Sequence, residues 1–345
     1  MLPCGTEGCQ IRVQTCLVFR TKSRPVSTPP LEMVGYTNLP GAGMHLGGAE
    51  KGSSLIMSEI RRGNHHSHGR RVKLSDPCKS ACVAQLMPVD STNPKPGVEA
   101  ASLSDVGLLR ANNEDSYLYW EPESEKEFLR KGRLAVVADG MGGYEGGQEA
   151  SRLAVETVRY MYDDQFADDP QHSLVAGLQT AHQTIQRYGE EHPQFMGMGT
   201  TCTAVGIVGR QLYFAHIGDS RLYLSRGATL SRLTRDHSYV GRLVETGIVR
   251  SEDAESHPQR HILTAALGSG REISPDVPEQ SILLQQGDQL ILCTDGLWSV
   301  VKEQEISRAV KSHSPTEACQ ALVHRALELG GPDNVTVIII RVSAD

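Results

Sequence analysis

The fold prediction for this chain starts from one stretch of sequence, Gly132-Arg133-Leu134-Ala135-Val136-Val137-Ala138-Asp139-Gly140. Its short apolar run predicts a buried strand, and the Asp-Gly pair that follows is typical of a turn. Acidic residues recur where other predicted strands begin or end. They are Asp219 after residues 214–217, Asp295 after residues 290–294, Asp333 before the last strand, and Glu114-Asp115 before an early one.

The periodicity of the surrounding sequence predicts an α+β fold. Apolar residues at helical spacing predict helices at residues 148–161, 174–188, 239–246, 251–256, 302–311 and 316–329. Strands are predicted at residues 201–208, 211–217, 222–224, 229–233, 276–284, 289–293 and 334–342. Strict βαβ alternation is absent from this order, which disfavours a Rossmann-like sheet.

Composition and charge limit the kinds of partner. The chain has 345 residues and a formal net charge of −7. Lys and Arg outnumber Asp and Glu by 12 to 6 in residues 1–97, whereas Asp and Glu outnumber Lys and Arg by 35 to 22 in residues 98–345. The acidic surplus argues against nucleic acid as the main partner. The longest apolar run, residues 335–340, is far too short for a transmembrane segment.

Residues 1–97 differ in texture from the rest of the chain. Repeated Pro and Gly without sustained periodicity predict a largely disordered basic extension, and the proline-rich residues 88–96 predict a linker. We therefore expect one domain over residues 98–345. No secretory signal precedes the cysteines, and Cys202, Cys293 and Cys319 stand singly in apolar contexts. These features indicate buried free thiols and a cytoplasmic location.

The acidic residues at strand ends could converge on one point, because strand ends lie on a rigid sheet. Several unpaired carboxylates would repel one another there and raise their pKa values unless divalent cations neutralise them. Only oxygen ligands are on offer, which favours Mg²⁺ or Mn²⁺ over Zn²⁺. The alternative is that each Asp-Gly pair is simply a turn.

The order of the local motifs identifies a resemblance. They are Ser104-Asp105-Val106-Gly107, Arg110-Ala111-Asn112-Asn113-Glu114-Asp115, Val137-Ala138-Asp139-Gly140-Met141-Gly142-Gly143, Gly199-Thr200-Thr201, Gly218-Asp219-Ser220-Arg221, Thr294-Asp295-Gly296-Leu297-Trp298 and Asp333-Asn334-Val335-Thr336. In this order they resemble the PP2C-type, metal-dependent protein Ser/Thr phosphatases over residues 102–342. The chain is most similar to the bacterial branch, whose members act in signal transduction against Hanks-type Ser/Thr kinases. Residues 235–238 and 257–268 resemble the flap segment of that branch.

The resemblance implies a fold and a reaction. The expected fold is a four-layer α-β-β-α sandwich, in which two antiparallel sheets are flanked by helical pairs. The expected reaction is hydrolysis of phosphoserine and phosphothreonine by a hydroxide that bridges two Mn²⁺ or Mg²⁺ ions, with Asp139 as the bridging carboxylate and the Gly140 carbonyl on one ion. The physical reason is that two such cations lower the pKa of a bridging water.

The resemblance also implies roles for the other matching residues. Asp295 and Asp333 would complete the shell of the second ion, and Glu114 would hold a metal-bound water. Asp219 would share a third, weaker ion with Asp295. Arg110 would clamp the phosphate of the substrate, because its planar fork matches phosphoryl oxygens.

One departure leaves the leaving-group acid open. Many eukaryotic members have His directly after the Asp-Gly pair, whereas this chain has Met141. Either metal-bound water serves as the acid or another residue such as His237 does. Two rival functions also stay open, a non-catalytic phosphoprotein-binding module on the same fold and a phosphatase for small phosphoesters. We expect phosphorylated proteins and a cognate Ser/Thr kinase as partners, and a monomer.

Overall fold

The structure is a computed structural model that describes residues 95–142, 145–254 and 257–344, all within one compact unit. The expected disordered extension and linker lie outside the described residues, apart from residues 95–97. The end of the predicted helix at residues 251–256 also lies outside them. Among the described residues, no helix combines the length and the apolar character needed to cross a membrane.

Two antiparallel sheets form the centre of the domain. The first sheet contains β1 (Val98–Asp105), β7 (Arg221–Arg226), β8 (Thr229–Arg232), β10 (Gln289–Cys293) and β11 (Val335–Val342). Its strand order is β1-β11-β10-β7-β8. Since β1 pairs with β11 along its whole length, the two ends of the described domain are joined in one sheet.

The second sheet is built mostly from the middle of the chain. It contains β2 (Asp115–Trp120), β3 (Arg133–Met141), β4 (Gly199–Thr200), β5 (Cys202–Val208), β6 (Gln211–Ile217) and β9 (Ile282–Leu283). The order is β2-β3-β5-β6-β9, and β4 pairs with the end of β3. The predicted hairpin is confirmed, because β5 and β6 pair from Val208 opposite Gln211 to Cys202 opposite Ile217.

Helices cover the outer face of each sheet. The pair α2 (Gly146–Asp163) and α3 (Pro170–Glu191) packs on the second sheet, and the pair α7 (Glu303–Ser312) and α8 (Pro315–Glu328) covers the first. The long helices start at recognisable caps: Asp169 accepts the N–H groups of residues 171 and 172, and Ser314 forms a capping box with Glu317. The shorter helices are α1 (Glu125–Lys131), α4 (Tyr239–Glu245), α5 (Ser251–Ala254) and α6 (Asp295–Trp298). The expected four-layer sandwich is confirmed.

The continuous apolar run in β11 is explained by its position between two cores. Val337 and Ile339 pack against the helices that cover the first sheet. Ile338 and Ile340 point the other way, into the core between the two sheets. A strand buried on both faces needs apolar residues at every position rather than at alternate ones.

One predicted strand is wrong for most of its length. Residues 276–284 were expected to form a strand, but only Ile282 and Leu283 pair with β6, together with a single bridge between Asp276 and His216. Pro278 lies in this stretch, and Pro275 directly precedes it. Because proline has no N–H to donate, a regular ladder cannot form across it.

The two-sided burial of β11 predicts that alternate isoleucines are equally costly to truncate. We expect Ile338→Ala and Ile339→Ala each to lower the free energy of unfolding by about 2–5 kcal/mol, because each leaves a cavity in a different core. Urea unfolding followed by circular dichroism measures this. Ile248→Ala is the matched control at an exposed position and should change stability by about 0.5 kcal/mol or less. A large loss at only one of residues 338 and 339 would contradict the two-core assignment.

Candidate metal centre

A cavity of about 890 Å³ lies where strands of both sheets begin or end. It brings together every residue that the sequence motifs singled out for the site. These lining residues are Arg110, Glu114, Asp139, Gly140, Asp219, Asp295 and Asp333. They come from five separate segments of the chain, so the cavity exists only because the two sheets are packed face to face.

Asp139 is held at the end of β3 by its own backbone. Its N–H donates to the hydroxyl of Thr201 at 2.9 Å, and its carbonyl accepts from the Thr201 N–H at 2.9 Å and from the Thr200 hydroxyl at 2.8 Å. These three bonds leave the carboxylate free to face the cavity. Burial and the neighbouring carboxylates, chiefly Asp115 and Asp295, raise the pKa of Asp139 well above its usual range.

Asp115 is a buried carboxylate beside the site, and the motif assignments gave it no role. It lies opposite Asp139 in the β2–β3 register and is buried. Its Oδ2 accepts from the hydroxyls of Thr294 at 2.8 Å and Thr336 at 2.6 Å, whereas its Oδ1 has no hydrogen-bond partner among the described residues. Burial raises its pKa to about 7. The available sequence signal was its position directly after Glu114.

The approach of α2 to this site requires glycine. A Cβ at Gly140 would lie 2.0 Å from the carbonyl oxygen of Gly147, and a Cβ at Gly147 would lie 2.6 Å from Oε2 of Glu114. The Glu114 backbone fixes the same region, since its carbonyl accepts from the Gly140 N–H at 3.1 Å and from the Ser151 hydroxyl at 2.6 Å. The pKa of Glu114 is raised, mainly by burial.

The remaining carboxylates close the other side of the cavity. Asp295 is the first residue of α6, and burial together with Asp333 raises its pKa to about 6. Asp219 is buried directly after β6, and burial and Asp295 raise its pKa. Arg110 donates to Oδ2 of Asp333 at 2.7 Å and is about half exposed. The Arg110–Asp333 ion pair therefore lies beside a cluster of carboxylates.

The donor set fits hard divalent cations. Carboxylate oxygens and Gly140 line the cavity, and Nδ1 of His261, which also lines it, lies 4.0 Å from Oδ2 of Asp295. Within the described ranges no group of three or more His, Cys, Asp or Glu side chains has the geometry to hold a metal ion unaided. Mg²⁺ keeps several waters in such sites, so few protein ligands are required. The unpartnered Oδ1 of Asp115 and the raised carboxylate pKa values indicate that positive charge belongs here.

Comparison with known proteins agrees with this geometry. The family model described as "Protein phosphatase 2C" matches residues 111–328, with Arg110 and Asp333 just outside the matched range. The chain belongs to the protein phosphatase 2C family. Phosphatase PstP of Mycobacterium tuberculosis is 38% identical over 242 residues, 70% of this chain and 44% of PstP. Phosphatase PhpP of Streptococcus pneumoniae is 35% identical over 253 residues, 72% of this chain and 99% of PhpP. The chain thus spans less than half the length of PstP.

Solved structures agree as well. The crystal structure of the M. tuberculosis phosphatase PstP is 36% identical, with a TM-score of 0.64, and the match covers 72% of this chain and all of that one. A second PstP structure, of the catalytic domain in complex with two manganese ions, is 35% identical with a TM-score of 0.62 over 72% of this chain and 99% of that one.

Two residues considered for acid catalysis can now be placed in this member of the phosphatase 2C family. Met141 lines the cavity after Gly140 and carries no proton to donate. His237 is not among the residues that line the cavity: its Nδ1 accepts from the Gly218 N–H and its Nε2 lies 3.3 Å from Asp276. Arg260 and His261 line the cavity, and the sequence motifs placed them only in the flap segment.

The cysteines offer no alternative nucleophile in the described part of the chain. Cys202, Cys293 and Cys319 are buried free thiols, as the sequence predicted. Burial raises the pKa of each to about 12, so none forms a thiolate at neutral pH.

The carboxylate cluster predicts that the metal-free protein loses stability as the pH rises. The pKa values of Asp115 and Asp295, about 7 and about 6, lie above the ordinary 3.8, so the folded state keeps protons that the unfolded chain releases. The free energy of unfolding should therefore fall between about pH 4 and pH 7. Removing one charge by Asp139→Asn should raise the Tm of metal-free protein at about pH 8 by at least about 2 °C, and change it little at about pH 5.

Thermal unfolding in EDTA, followed by circular dichroism, measures this effect. Asp163→Asn is the matched control, since Asp163 pairs with Lys131 away from the cavity and should gain nothing at high pH. Added Mn²⁺ should raise the Tm of the wild type more than that of Asp139→Asn. A variant that is less stable than the wild type at high pH would contradict the repulsion argument.

Proposed function

We propose that this chain is a Mn²⁺- or Mg²⁺-dependent protein Ser/Thr phosphatase. The observation that carries the proposal is one cavity in which five carboxylates and the guanidinium of Arg110 meet. The names of PstP and PhpP as serine/threonine or protein phosphatases support it. The intact set of acidic positions argues against a non-catalytic binding module, since every carboxylate that a metal would need is present.

The carboxylates would divide the cations among them. Asp139 would bridge two ions, with the Gly140 carbonyl on one of them and with Asp295 and Asp333 on the other. Glu114 would orient a water at the first ion. When bound, the two ions supply a hydroxide for in-line attack on phosphorus at neutral pH and neutralise the charge that develops there.

Two further assignments complete the set. Asp219 and Asp295 would share a third, weaker ion, which is consistent with Asp295 being a leading cause of the raised pKa of Asp219. Arg110 would bind the phosphoryl oxygens, because its guanidinium is about half exposed at the cavity and is held by Asp333. A planar fork that is fixed in this way binds phosphate with a defined orientation.

The leaving alkoxide needs a proton from a source other than Met141 or His237. Met141 has none, and the ring nitrogens of His237 are both directed away from the cavity toward Gly218 and Asp276. We therefore propose that water in the cavity supplies this proton. This assignment removes the requirement for a histidine after the Asp-Gly pair.

The biological setting is also a proposal. We propose that residues 98–345 form the catalytic domain, that residues 1–97 are an extension, and that the protein is monomeric. Its partners would be phosphorylated proteins and a cognate Ser/Thr kinase. The free thiols of Cys202, Cys293 and Cys319 are consistent with a reducing cytoplasm.

Metal dependence is the first test of this function. Asp139→Ala and Asp295→Ala should each lower Mn²⁺-dependent hydrolysis of p-nitrophenyl phosphate by at least about 10³-fold, because the ions lose a ligand and the nucleophile with it. Asp163→Ala, which removes a carboxylate of α2 outside the cavity, should keep wild-type activity. Full activity in Asp139→Ala would rule out the proposed function.

Substrate class needs a separate measurement. Purified protein should release phosphate from phosphothreonine and phosphoserine peptides with Mn²⁺ and not with EDTA. Binding of the peptides without hydrolysis would favour the binding-module alternative. Hydrolysis of small phosphoesters with no activity on any phosphopeptide or phosphoprotein would favour the small-substrate alternative.

Substitutions of Arg110 should give a graded loss of activity. Arg110→Ala should lower kcat/KM for a phosphopeptide by about 10²-fold, mainly through KM, because the phosphate loses its bidentate partner. Arg110→Lys should recover only part of this loss, since an ammonium group keeps the charge and lacks the planar fork. Arg152→Ala, which removes an arginine paired with Glu149 and Glu156 on α2, is the matched control. Equal kinetics in the Ala and Lys variants and the wild type would remove Arg110 from the site.

A further inference from the structure

A fully buried histidine stands behind the turn that carries Asp219. His216 lies on β6, and its Nδ1 is 2.8 Å from the hydroxyl oxygen of Thr203. Its Nε2 is 3.1 Å from the carbonyl oxygen of Gly218 and 3.0 Å from that of Arg235. One ring therefore connects β5, the β6–β7 turn and the segment that leads into α4.

The hydrogen-bond partners determine the tautomer of His216. Carbonyl oxygens only accept, so Nε2 must carry the proton that it donates to Gly218 and Arg235. Nδ1 then accepts from the Thr203 hydroxyl. Burial, assisted by the neighbouring His237, lowers the pKa of His216 to about 4, so the ring is neutral at physiological pH.

His237 also binds the backbone of Gly218. Its backbone N–H donates to the Gly218 carbonyl at 2.7 Å, and its Nδ1 accepts from the Gly218 N–H at 3.2 Å. Its Nε2 lies 3.3 Å from Oδ2 of Asp276, and the two imidazole rings are 4.9 Å apart. Both polar backbone groups of Gly218 are thus bound by the two histidines.

The backbone at Gly218 sets the position of the next residue, Asp219. Gly218 has a φ of +107°, and a Cβ there would lie 2.5 Å from Cβ of Thr201. The carbonyl of Asp219 accepts from the indole N–H of Trp298 at 3.0 Å, and Asp219 itself lines the cavity. The two histidines therefore hold the Gly218 backbone, which sets the position of the Asp219 carboxylate.

The same network fastens the segment that precedes α4. His216 binds the carbonyl of Arg235, and the next residue, Asp236, forms two hydrogen bonds to Arg221 at 3.0 and 2.6 Å. Ser238 then caps α4 by accepting from the Gly241 N–H. The position of this helix is linked through His216 and His237 to the turn that carries Asp219.

We propose that His216 and His237 are positioning residues that hold the Asp219 carboxylate at the cavity and tie the segment before α4 to it. The proposal rests on the proposed function, since it takes Asp219 as a ligand of the weaker cation. Neither imidazole lines the cavity, so both act through the Gly218–Asp219 backbone rather than on substrate.

The experiment compares His216→Leu, His237→Leu and His237→Asn in the full-length chain. Asn at residue 237 keeps an acceptor near the place of Nδ1 and can still bind the Gly218 N–H, whereas Leu cannot. Calorimetric titration with Mn²⁺ alone gives the number and affinity of the ions bound by folded protein. Hydrogen exchange of the metal-free protein gives the protection of residues 217–220 and 235–238.

Asp219→Asn should abolish the weaker cation site. We expect both Leu variants to weaken Mn²⁺ binding at that site by about tenfold or more, in line with the effect of residues that orient metal ligands. The tighter Mn²⁺ binding should be unchanged. Hydrogen exchange should become faster in residues 217–220 and 235–238. His237→Asn should restore most of the affinity. The double variant His237→Leu/Asp219→Asn should bind no more weakly than Asp219→Asn alone, because both changes act on one site.

The matched control is His182→Leu. His182 is also a buried histidine whose Nδ1 accepts a backbone N–H, that of Gly268, but it lies on α3. It should lower the Tm and leave the weaker cation site unchanged. The proposal would be overturned if the His237→Leu variant bound Mn²⁺ as tightly as the wild type. It would also be overturned if His182→Leu lost as much Mn²⁺ affinity as His237→Leu. Absence of Mn²⁺-dependent hydrolysis in the wild type would instead reject the proposed function.

Discussion

Asp115 and Asp139 lie opposite each other on β2 and β3, where burial keeps bulk water from screening their like charges. Burial raises the pKa of both. Asp115 and Asp295 raise the pKa of Asp139 further, and Asp295 and Asp333 raise that of Asp115. Each buried charge without a partner lowers the stability of the fold, so this group of carboxylates needs compensating positive charge. Divalent cations would replace the repulsion between carboxylates by attraction to a shared positive charge. The strand ends hold the carboxylates close enough to share such cations.

The two-sheet architecture provides the rigidity that such a site requires. Three apolar cores, one between the sheets and one under each helical pair, leave little freedom for the strand ends. Polar side chains then connect the sheets directly. Asn334 accepts the Glu114 N–H and donates to the carbonyls of Val106 and Asn112, so the loop before β2 is attached to the start of β11.

The lining of the cavity also includes positively charged side chains. Arg110 is about half exposed and pairs with Asp333, and Arg260 lines the same cavity. A cavity that combines carboxylates with two guanidinium groups suits a dianionic phosphate that must reach bound cations. Outside the cavity lining, His216 and His237 bind the backbone of Gly218 and would position the Asp219 carboxylate without contacting substrate.

Much of the fold could be predicted from local pattern. The long helices and the β5–β6 hairpin follow from spacing alone, whereas β1 and α1 did not. The sequence of β1, from Val98 to Asp105, alternates too weakly, and α1 is short. The strand expected at residues 276–284 failed because proline removes the N–H groups that a ladder needs. In the last case the failed prediction overlooked a signal that was present in the sequence.

By itself the sequence determined which chemical groups are available and at which strand ends they stand, because turn residues and apolar runs are local signals. The resemblance of its ordered motifs to the phosphatase 2C family then predicted a site made of Arg110, Glu114, Asp139, Gly140, Asp219, Asp295 and Asp333. Only the tertiary structure brought them to one cavity, gave Asp115 an unpartnered oxygen, and turned His237 away from the chemistry toward Gly218. These facts depend on how two sheets pack and pair, and contacts between residues distant in the chain leave no periodic trace in the sequence.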